Sequence, residues 1–102
     1  MDQDSFIFIQ NWSIRVNKDL MQACKHGSLG LVKFLVEQGA DIHAGDNYAL
    51  RWASYKGHLE VVKYLVEQGA DVHTMDNCPL RWTSENGHLE VVAYLKGVMN
   101  ER

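Results

Sequence analysis

The sequence has few of the residues on which disulfide frameworks, zinc sites and nucleic-acid surfaces depend. Its two cysteines, Cys24 and Cys78, lie 54 residues apart and belong to no CxxC or Cys/His cluster, so they give no basis for a disulfide framework and indicate ordinary reduced thiols. Ten Lys and Arg residues against thirteen Asp and Glu residues give a net charge of -3, not the basic excess of a nucleic-acid-binding domain. No apolar run approaches the ~18 residues of a membrane span. Neither nucleic acid nor a membrane is therefore expected as a partner.

The amino terminus also lacks the pattern of a secretion signal. Asp2 and Asp4 stand where basic residues are expected, and the apolar run 6–9 is only four residues long. We therefore expect a protein that is not secreted and that works in the cytoplasm.

Recognisable catalytic motifs are missing as well. The order His58-Leu59-Glu60 does not have the HExxH spacing of a zinc hydrolase, and the sequence contains no glycine-rich phosphate loop. Neither cysteine has a base at a helical spacing that would activate it. These absences predict that the chain is not an enzyme and uses no cofactor.

What the sequence does contain is a repeat with a period of 30 residues. Residues 46–65 and 76–95 are identical at fourteen of twenty aligned positions, and residues 20–44 match 50–74 at fourteen of twenty-five. One unit of this size cannot bury its own apolar face, so about three stacked units are needed for stability. The chain supplies three. We predict a repeat domain over residues 17–102, with units at about 17–45, 46–75 and 76–102.

Residues 1–16 fall outside the repeat. Several of them are apolar, and the partial alternation of Trp12, Ile14 and Val16 after Gln10 favours an extended segment. We interpret 1–16 as a non-repetitive cap, because the outer face of a terminal unit needs cover. A disordered or expression-derived leader is the alternative.

Each unit has the pattern of two helices separated by a glycine. We predict first helices at about Asp19–His26, Ala49–Lys56 and Pro79–Asn86, and second helices at about Ser28–Gln38, His58–Gln68 and His88–Lys96. Gly27, Gly57 and Gly87 fall between the paired helices, where a left-handed glycine commonly ends a helix. Pro79 is the only proline and stands in a first helical turn, where its missing N–H is tolerated.

The segment 57–73, GHLEVVKYLVEQGADVH, resembles the second half of an ankyrin repeat. The framework residues matched in order are Leu50, Ala53, Gly57, His58, Val62, Leu65, Gly69, Ala70 and Asp71. This resemblance covers about residues 18–102 and implies an all-α solenoid of three helix-turn-helix units that binds other proteins as an adaptor, without catalysis. The Asp-Asn pair before the helix and the Leu-Arg-Trp inside it are similar to the ankyrin arrays of giant DNA viruses of amoebae (mimivirus-like arrays). That similarity implies the host cytoplasm as the location.

Two departures from the family pattern affect the connections between units. Ankyrin repeats usually have about 33 residues, so about three residues are missing here and shortened inter-repeat loops are expected. The family's Thr-Pro-Leu-His is replaced by residues 48–51, Tyr-Ala-Leu-Arg, and 78–81, Cys-Pro-Leu-Arg, which removes the usual threonine-to-histidine hydrogen bonds. We expect the helix pair to persist with a different turn before it.

The five histidines raise the question of a metal site. His58 and His88, like His43 and His73, are one unit apart. Packed helices lie ~8–10 Å apart, whereas zinc needs donors ~2 Å from one centre, so residues in register cannot share an ion. No metal site is predicted, and His58 and His88 are interpreted as structural residues at helix starts.

We predict the partner-binding surface on the exposed side of the first helices, opposite Leu50, Ala53 and Ser54. This surface, called the first-helix face below, consists of Gln22, Lys25, His26, Arg51, Trp52, Tyr55, Lys56, Arg81, Trp82, Glu85 and Asn86. Trp, Tyr and Arg are enriched in interface hot spots. The charged residues of the face sum to +3 on a protein of -3. An acidic or aromatic segment of another protein is therefore the expected partner.

The repetition of Arg-Trp at 51–52 and 81–82 leaves a structural alternative open. The arginines could donate to carbonyls of the adjacent loop, and the tryptophans could fill the space between first helices. Positions that differ between units, 25/55/85 and 26/56/86, are therefore better candidates for specificity.

A second surface is predicted at the C-terminal end, where the last helix keeps residues that in the central unit are expected to face a neighbour. Its residues are Val91, Val92, Leu95, Val98 and Met99. If this surface is uncovered, an end-to-end homodimer is expected to bury it. A structural or self-associating repeat fragment with no external client is therefore the alternative function.

Overall fold

The computed structural model describes the backbone of residues 3–101 and the side chains of residues 14–100. Its helices are α1 (Gln3–His26), α2 (Leu29–Glu37), α3 (Ala44–Lys56), α4 (Leu59–Glu67), α5 (Thr74–Glu85) and α6 (Leu89–Glu101). The first helices α1, α3 and α5 pack in sequence on one side, and the second helices α2, α4 and α6 pack in sequence on the other. The predicted all-α array of three helix pairs is confirmed for the described residues.

Helix α1 is much longer than predicted. It runs without interruption from Gln3 to His26, so the extended segment predicted after Gln10 is wrong. The physical reason is that residues 1–26 contain neither glycine nor proline, so nothing breaks the helical hydrogen bonds. Near the end of the predicted cap, Val16 is buried and Ile14 is exposed. The side chains of residues 1–13 lie outside the described residues, and the cap remains a prediction.

The core repeats from unit to unit. Leu20 and Leu50 are buried at equivalent positions of the first helices, and Leu35, Leu65 and Leu95 are buried at equivalent positions of the second helices. Each buried leucine contributes about 1.5–3 kcal/mol relative to an exposed one. Because equivalent residues fill each layer, neighbouring units stack in the same register and bring their first helices side by side.

The glycine between paired helices ends the first helix as predicted. Gly57 has a left-handed backbone, and its N–H donates to Ser54 O while the N–H of His58 donates to Ala53 O. Equivalent bonds from the N–H of Ser28 and of His88 close α1 and α5. This arrangement satisfies carbonyls that a helix C-terminus would otherwise leave unpaired.

The first residues of α3 and α5 form a compact left-handed turn that precedes the right-handed part of each helix. Residues 45–47 and 75–77 all have positive φ angles, between 49° and 64°. Asn and Asp tolerate this conformation, but Met75 does so at a cost of roughly 1–2 kcal/mol. The shortened loop predicted from the 30-residue period therefore takes the form of one left-handed turn.

Candidate protein-binding face

Three aromatic rings form a cluster on the first-helix face. Trp52 and Tyr55 lie on α3 and Trp82 lies on α5, with ring centroids 5.2 Å apart for Trp52–Tyr55, 5.3 Å for Tyr55–Trp82 and 6.2 Å for Trp52–Trp82. All three pairs meet edge to face, at 72–73°, which is a favourable geometry for aromatic quadrupoles. Tyr55 is exposed and both tryptophans are half-buried. We call these three residues the aromatic cluster.

Cationic side chains border the aromatic cluster. Lys25 places its Nζ 4.8 Å from the Trp52 centroid, and Lys56 places its Nζ 6.0 Å from Trp52 and 5.7 Å from Tyr55. These distances fall within the ~6 Å range of cation–π attraction. Because a ring attracts a cation without neutralising it, the surface stays positively charged around the rings.

The two arginines of the face hold the left-handed turns. Arg51 donates from Nη2 to Gly45 O at 2.8 Å and from Nε to Asp46 O at 3.2 Å. Arg81 donates from Nη2 to Met75 O at 3.1 Å. The structural alternative left open by the sequence is therefore the one observed for the arginines. Arg51 also lies over the Trp82 ring, with its Cζ 5.8 Å from the centroid, so it joins the turn to the aromatic cluster.

The remaining residues of the face lie around this centre. Gln22 and His26 are exposed and line a separate hollow of about 280 Å³ between α1 and α2, together with Leu31 and Leu35. Asn86 donates from Nδ2 to Trp82 O at 2.7 Å, which occupies its side chain at the end of α5. The structure thus brings Lys25, Arg51, Trp52, Tyr55, Lys56 and Trp82 together, whereas Gln22 and His26 line the hollow.

The histidines at the starts of the second helices lock neighbouring units together. His58 donates from Nε2 to Lys25 O at 3.0 Å, and His88 donates from Nε2 to Tyr55 O at 2.9 Å. A carbonyl only accepts, so the proton sits on Nε2 in both rings. Each ring lies against the left-handed glycine of the preceding unit, so that a Cβ added at Gly27 or Gly57 would be 2.5 Å from the histidine Nδ1. We call this glycine site the histidine notch.

Asparagines tie the beginning of a unit to its own end, a contact that sequence reasoning missed. Asn17 accepts at Oδ1 from the N–H of Asp41 at 2.7 Å, and Asn47 accepts at Oδ1 from the N–H of Asp71 at 3.0 Å. Thr74 adds a bond from Oγ1 to Asp46 O at 2.9 Å. The recurrence of asparagine at positions 17, 47 and 77, one period apart, is the sequence signal that could have predicted these bonds.

The predicted self-association surface needs a correction. Val91 and Leu95 are 1% and 0% exposed, so neither can contact a second chain. Both pack into the core of their own chain, as Val61 and Leu65 do in the central unit. Val92 stays only partly buried, and partly exposed Val98 and Met99 pack against the edge of the core.

The described residues also give information on metal ligands, cysteine reactivity and helix hydropathy. No group of three or more His, Cys, Asp or Glu side chains within residues 14–100 is placed to hold a metal ion. Burial raises the pKa of the Cys24 thiol to about 12, which disfavours the nucleophilic thiolate. Among the described helices, none combines the length and the hydropathy required to cross a bilayer.

Comparison with known proteins identifies a matching family and a similar protein. A family model described as ankyrin repeats (3 copies) matches residues 20–100. The putative ankyrin repeat protein R880 of Acanthamoeba polyphaga mimivirus is 53% identical over 36 residues. That alignment covers 35% of this chain and 14% of the relative, so the chain spans a small part of the relative's length. Both matches confirm the resemblance predicted from residues 57–73.

Proposed function

This chain belongs to the ankyrin repeat family, and from that membership we propose that it is a non-catalytic adaptor that binds a partner protein through the first-helix face. Ankyrin repeats generally act as protein–protein interaction modules and not as enzymes. The observation that carries the proposal is the aromatic cluster of Trp52, Tyr55 and Trp82 with Lys25 and Lys56 beside it. We propose the cytoplasm as the place of action, the host's in the case of a viral protein.

The chemistry of the aromatic cluster favours a segment with an acidic and an aromatic side chain. Lys25 and Lys56 both lie within 6.0 Å of the Trp52 ring, so a carboxylate above that ring meets two cations. An aromatic residue beside it would extend the edge-to-face packing of Tyr55 and Trp82. The half-buried tryptophans are already fixed by their neighbours, which lowers the entropy lost on binding.

The proposal is tested by replacing two exposed side chains of the first-helix face. A matched pair of side chains on α2 is replaced as the control. Tyr55→Ala with Lys56→Ala removes one ring and one cation. The control is Phe34→Ala with Lys33→Ala, which removes an exposed ring and an adjacent lysine from α2. Both double variants should keep their helical circular dichroism and lose little stability, since exposed substitutions change it by about ±0.5 kcal/mol each.

Affinity capture from host lysate, followed by titration of the purified partner, should show loss of binding only for the Tyr55 and Lys56 variant. The affinity of the unmodified chain for its partner should fall as salt is added, because the contact is partly electrostatic. Equal capture by both double variants would move the binding site away from the first-helix face.

We also propose an end-to-end homodimer through the C-terminal end as a second assembly. The observation that favours it is Val92, which is only partly buried although its counterpart Val62 is 0% exposed. A two-fold contact would bury the same residues on both chains. Val92→Glu should give a monomer with unchanged helicity, and light scattering that finds the unmodified chain monomeric at high concentration would exclude this dimer.

A further inference from the structure

The contact between neighbouring units contains one element that occurs twice in the same form. His58 enters the histidine notch at Gly27 and donates to the carbonyl of Lys25. One unit later, His88 enters the notch at Gly57 and donates to the carbonyl of Tyr55. Each contact therefore consists of a histidine on one unit and a glycine with a nearby carbonyl on the other.

A third notch of the same construction lies open at Gly87. This glycine has φ of +72°, close to the +77° and +78° of Gly27 and Gly57, but a Cβ placed there meets no atom within 4 Å. The carbonyl of Glu85 takes the place that Lys25 and Tyr55 hold in the other two notches. The third unit thus presents the receiving half of the histidine contact on its surface.

Two apolar residues of the helix that follows Gly87 are more exposed than their counterparts in the central unit. Leu89 is 77% exposed, whereas its counterpart Leu59 is partly buried against the core. Val92 is partly buried, whereas Val62 is 0% exposed beneath its neighbours. We call Gly87, Leu89 and Val92 the C-terminal end face.

We propose that the C-terminal end face is a docking site for another ankyrin unit whose second helix begins with histidine. The incoming ring enters the Gly87 notch and donates from Nε2 to Glu85 O, while the apolar side of its helix covers Leu89 and Val92. The contact continues the interface that already joins the three units. It rests on the proposed role as a protein-interaction module but uses a surface separate from the first-helix face.

The docked unit belongs to a different kind of chain, because this chain does not carry the matching end. Ser28 occupies the position of His58, and exposed Asp19 occupies the position of Ala49, which is 2% exposed between units. A serine cannot reach into the notch, and a carboxylate buried at the contact would lose its hydration. Ser28 and Asp19 therefore prevent copies of this chain from stacking head to tail.

The path of α6 differs from that of α4 at its C-terminal end. Helix α4 ends at Glu67 and is followed by the turn into the next unit, but α6 continues to Glu101 through the equivalent positions. The segment that leads from one unit into the next is thus helical here. The turn that joins the other units is therefore not formed after α6 within residues 3–101.

The test uses a variant of this chain as the docking partner, called the donor. A donor chain carries Asp19→Ala and Ser28→His, which restore the two unit-contact residues, together with Gly87→Ala, which fills its own notch. The acceptor is the unmodified chain. Sedimentation velocity on mixtures should show a one-to-one complex whose population rises with concentration.

Control variants of the acceptor and of the donor show whether the association depends on the Gly87 notch. An acceptor with Gly87→Ala should bind the donor at least about tenfold more weakly, whereas one with Gly39→Ala should bind normally. Gly39 also has positive φ and open space, so both acceptors carry similar backbone strain. A donor with Asp19→Ala and Gly87→Ala but without the histidine should not bind.

Each outcome decides the proposal. Absence of a complex with the unmodified acceptor would overturn it, and so would equal binding to the Gly87→Ala acceptor. Association that needs no histidine donor would indicate the two-fold homodimer instead. An acceptor with Tyr55→Ala and Lys56→Ala should still bind the donor, so failure of the first-helix face as a binding surface would leave this result unchanged.

Discussion

Gly57→Ala, which places a methyl group where the His88 ring lies, should destabilise the chain more than Gly39→Ala does. Both glycines have positive φ, +78° and +99°, so alanine costs roughly 1–2 kcal/mol at either position through backbone strain. At Gly57 the new Cβ would also lie 2.5 Å from Nδ1 of His88, whereas at Gly39 it meets no atom within 4 Å. Only Gly57→Ala therefore forces the histidine out of its notch.

The difference between the two variants can be estimated from what His88 loses. Its hydrogen bond to Tyr55 O is 2.9 Å long, and such a bond contributes about 0.5–1.5 kcal/mol net. Loss of van der Waals contact between the ring and the glycine adds to this value. We expect Gly57→Ala to lower the free energy of unfolding by about 1–2 kcal/mol more than Gly39→Ala does.

Urea unfolding followed by circular dichroism measures both variants, and a double-mutant cycle with His88→Ala isolates the contact. Without the ring, Gly57→Ala should cost no more than Gly39→Ala. If Gly57→Ala and Gly39→Ala cost the same stability when His88 is present, the notch is not a contact that holds units together. The same conclusion follows if the extra cost of Gly57→Ala persists in the His88→Ala background.

Two further predictions concern the core. Leu65→Ala should cost about 2–5 kcal/mol and unfold the array in one cooperative step, because Leu65 is 0% exposed in the central unit; separate melting of individual units in calorimetry would contradict this. Ser54→Ala should be neutral or stabilise the chain by up to about 1 kcal/mol, because the buried Ser54 Oγ has no hydrogen-bond partner. Ser84→Ala, at the exposed equivalent position, should change stability by no more than about ±0.5 kcal/mol, and a clear loss in Ser54→Ala alone would mean that its hydroxyl is bonded.

The helix pairs could be predicted from the sequence because local rules determine them. Apolar spacing fixed the inward sides, and Gly27 and Gly57 ended the first helices where their left-handed backbone requires. The start of α1 could not be predicted in this way, because an absence of helix breakers before Asp19 does not indicate where a helix begins. Apolar alternation at Trp12 and Ile14 was then mistaken for an extended segment.

The turns and the contacts between units were less accessible. The left-handed turn at 45–47 depends on Arg51, which donates to its carbonyls, and on Thr74, 28 residues further along the chain. Sequence reasoning considered such arginine bonds but had no means of choosing between them and a binding role. Val91 and Leu95 were misassigned because spacing along a helix shows which side is apolar, not whether that side meets its own unit or a neighbour.

The centre of the first-helix face was predictable as a set of residues but not as an arrangement. Helical spacing placed Trp52 and Tyr55 on the exposed side of α3, and both have exposed surface. That Trp82 reaches across from α5 to meet both rings depends on the distance and rotation between units. These are set by the packing of Leu20, Leu50 and their neighbours, which a linear pattern does not contain.

The hydrogen bonds within and between the units have a consequence for how fast the chain folds. They span 24 residues from the asparagines, 28 from Thr74 and 33 from the histidines. The entropic cost of closing a loop rises only with the logarithm of its length, so each interface requires the ordering of a similar short stretch of chain. Folding can therefore begin at either interface and extend to the remaining unit. The rate is expected to be that of forming a single interface, as in other chains whose contacts are close in sequence.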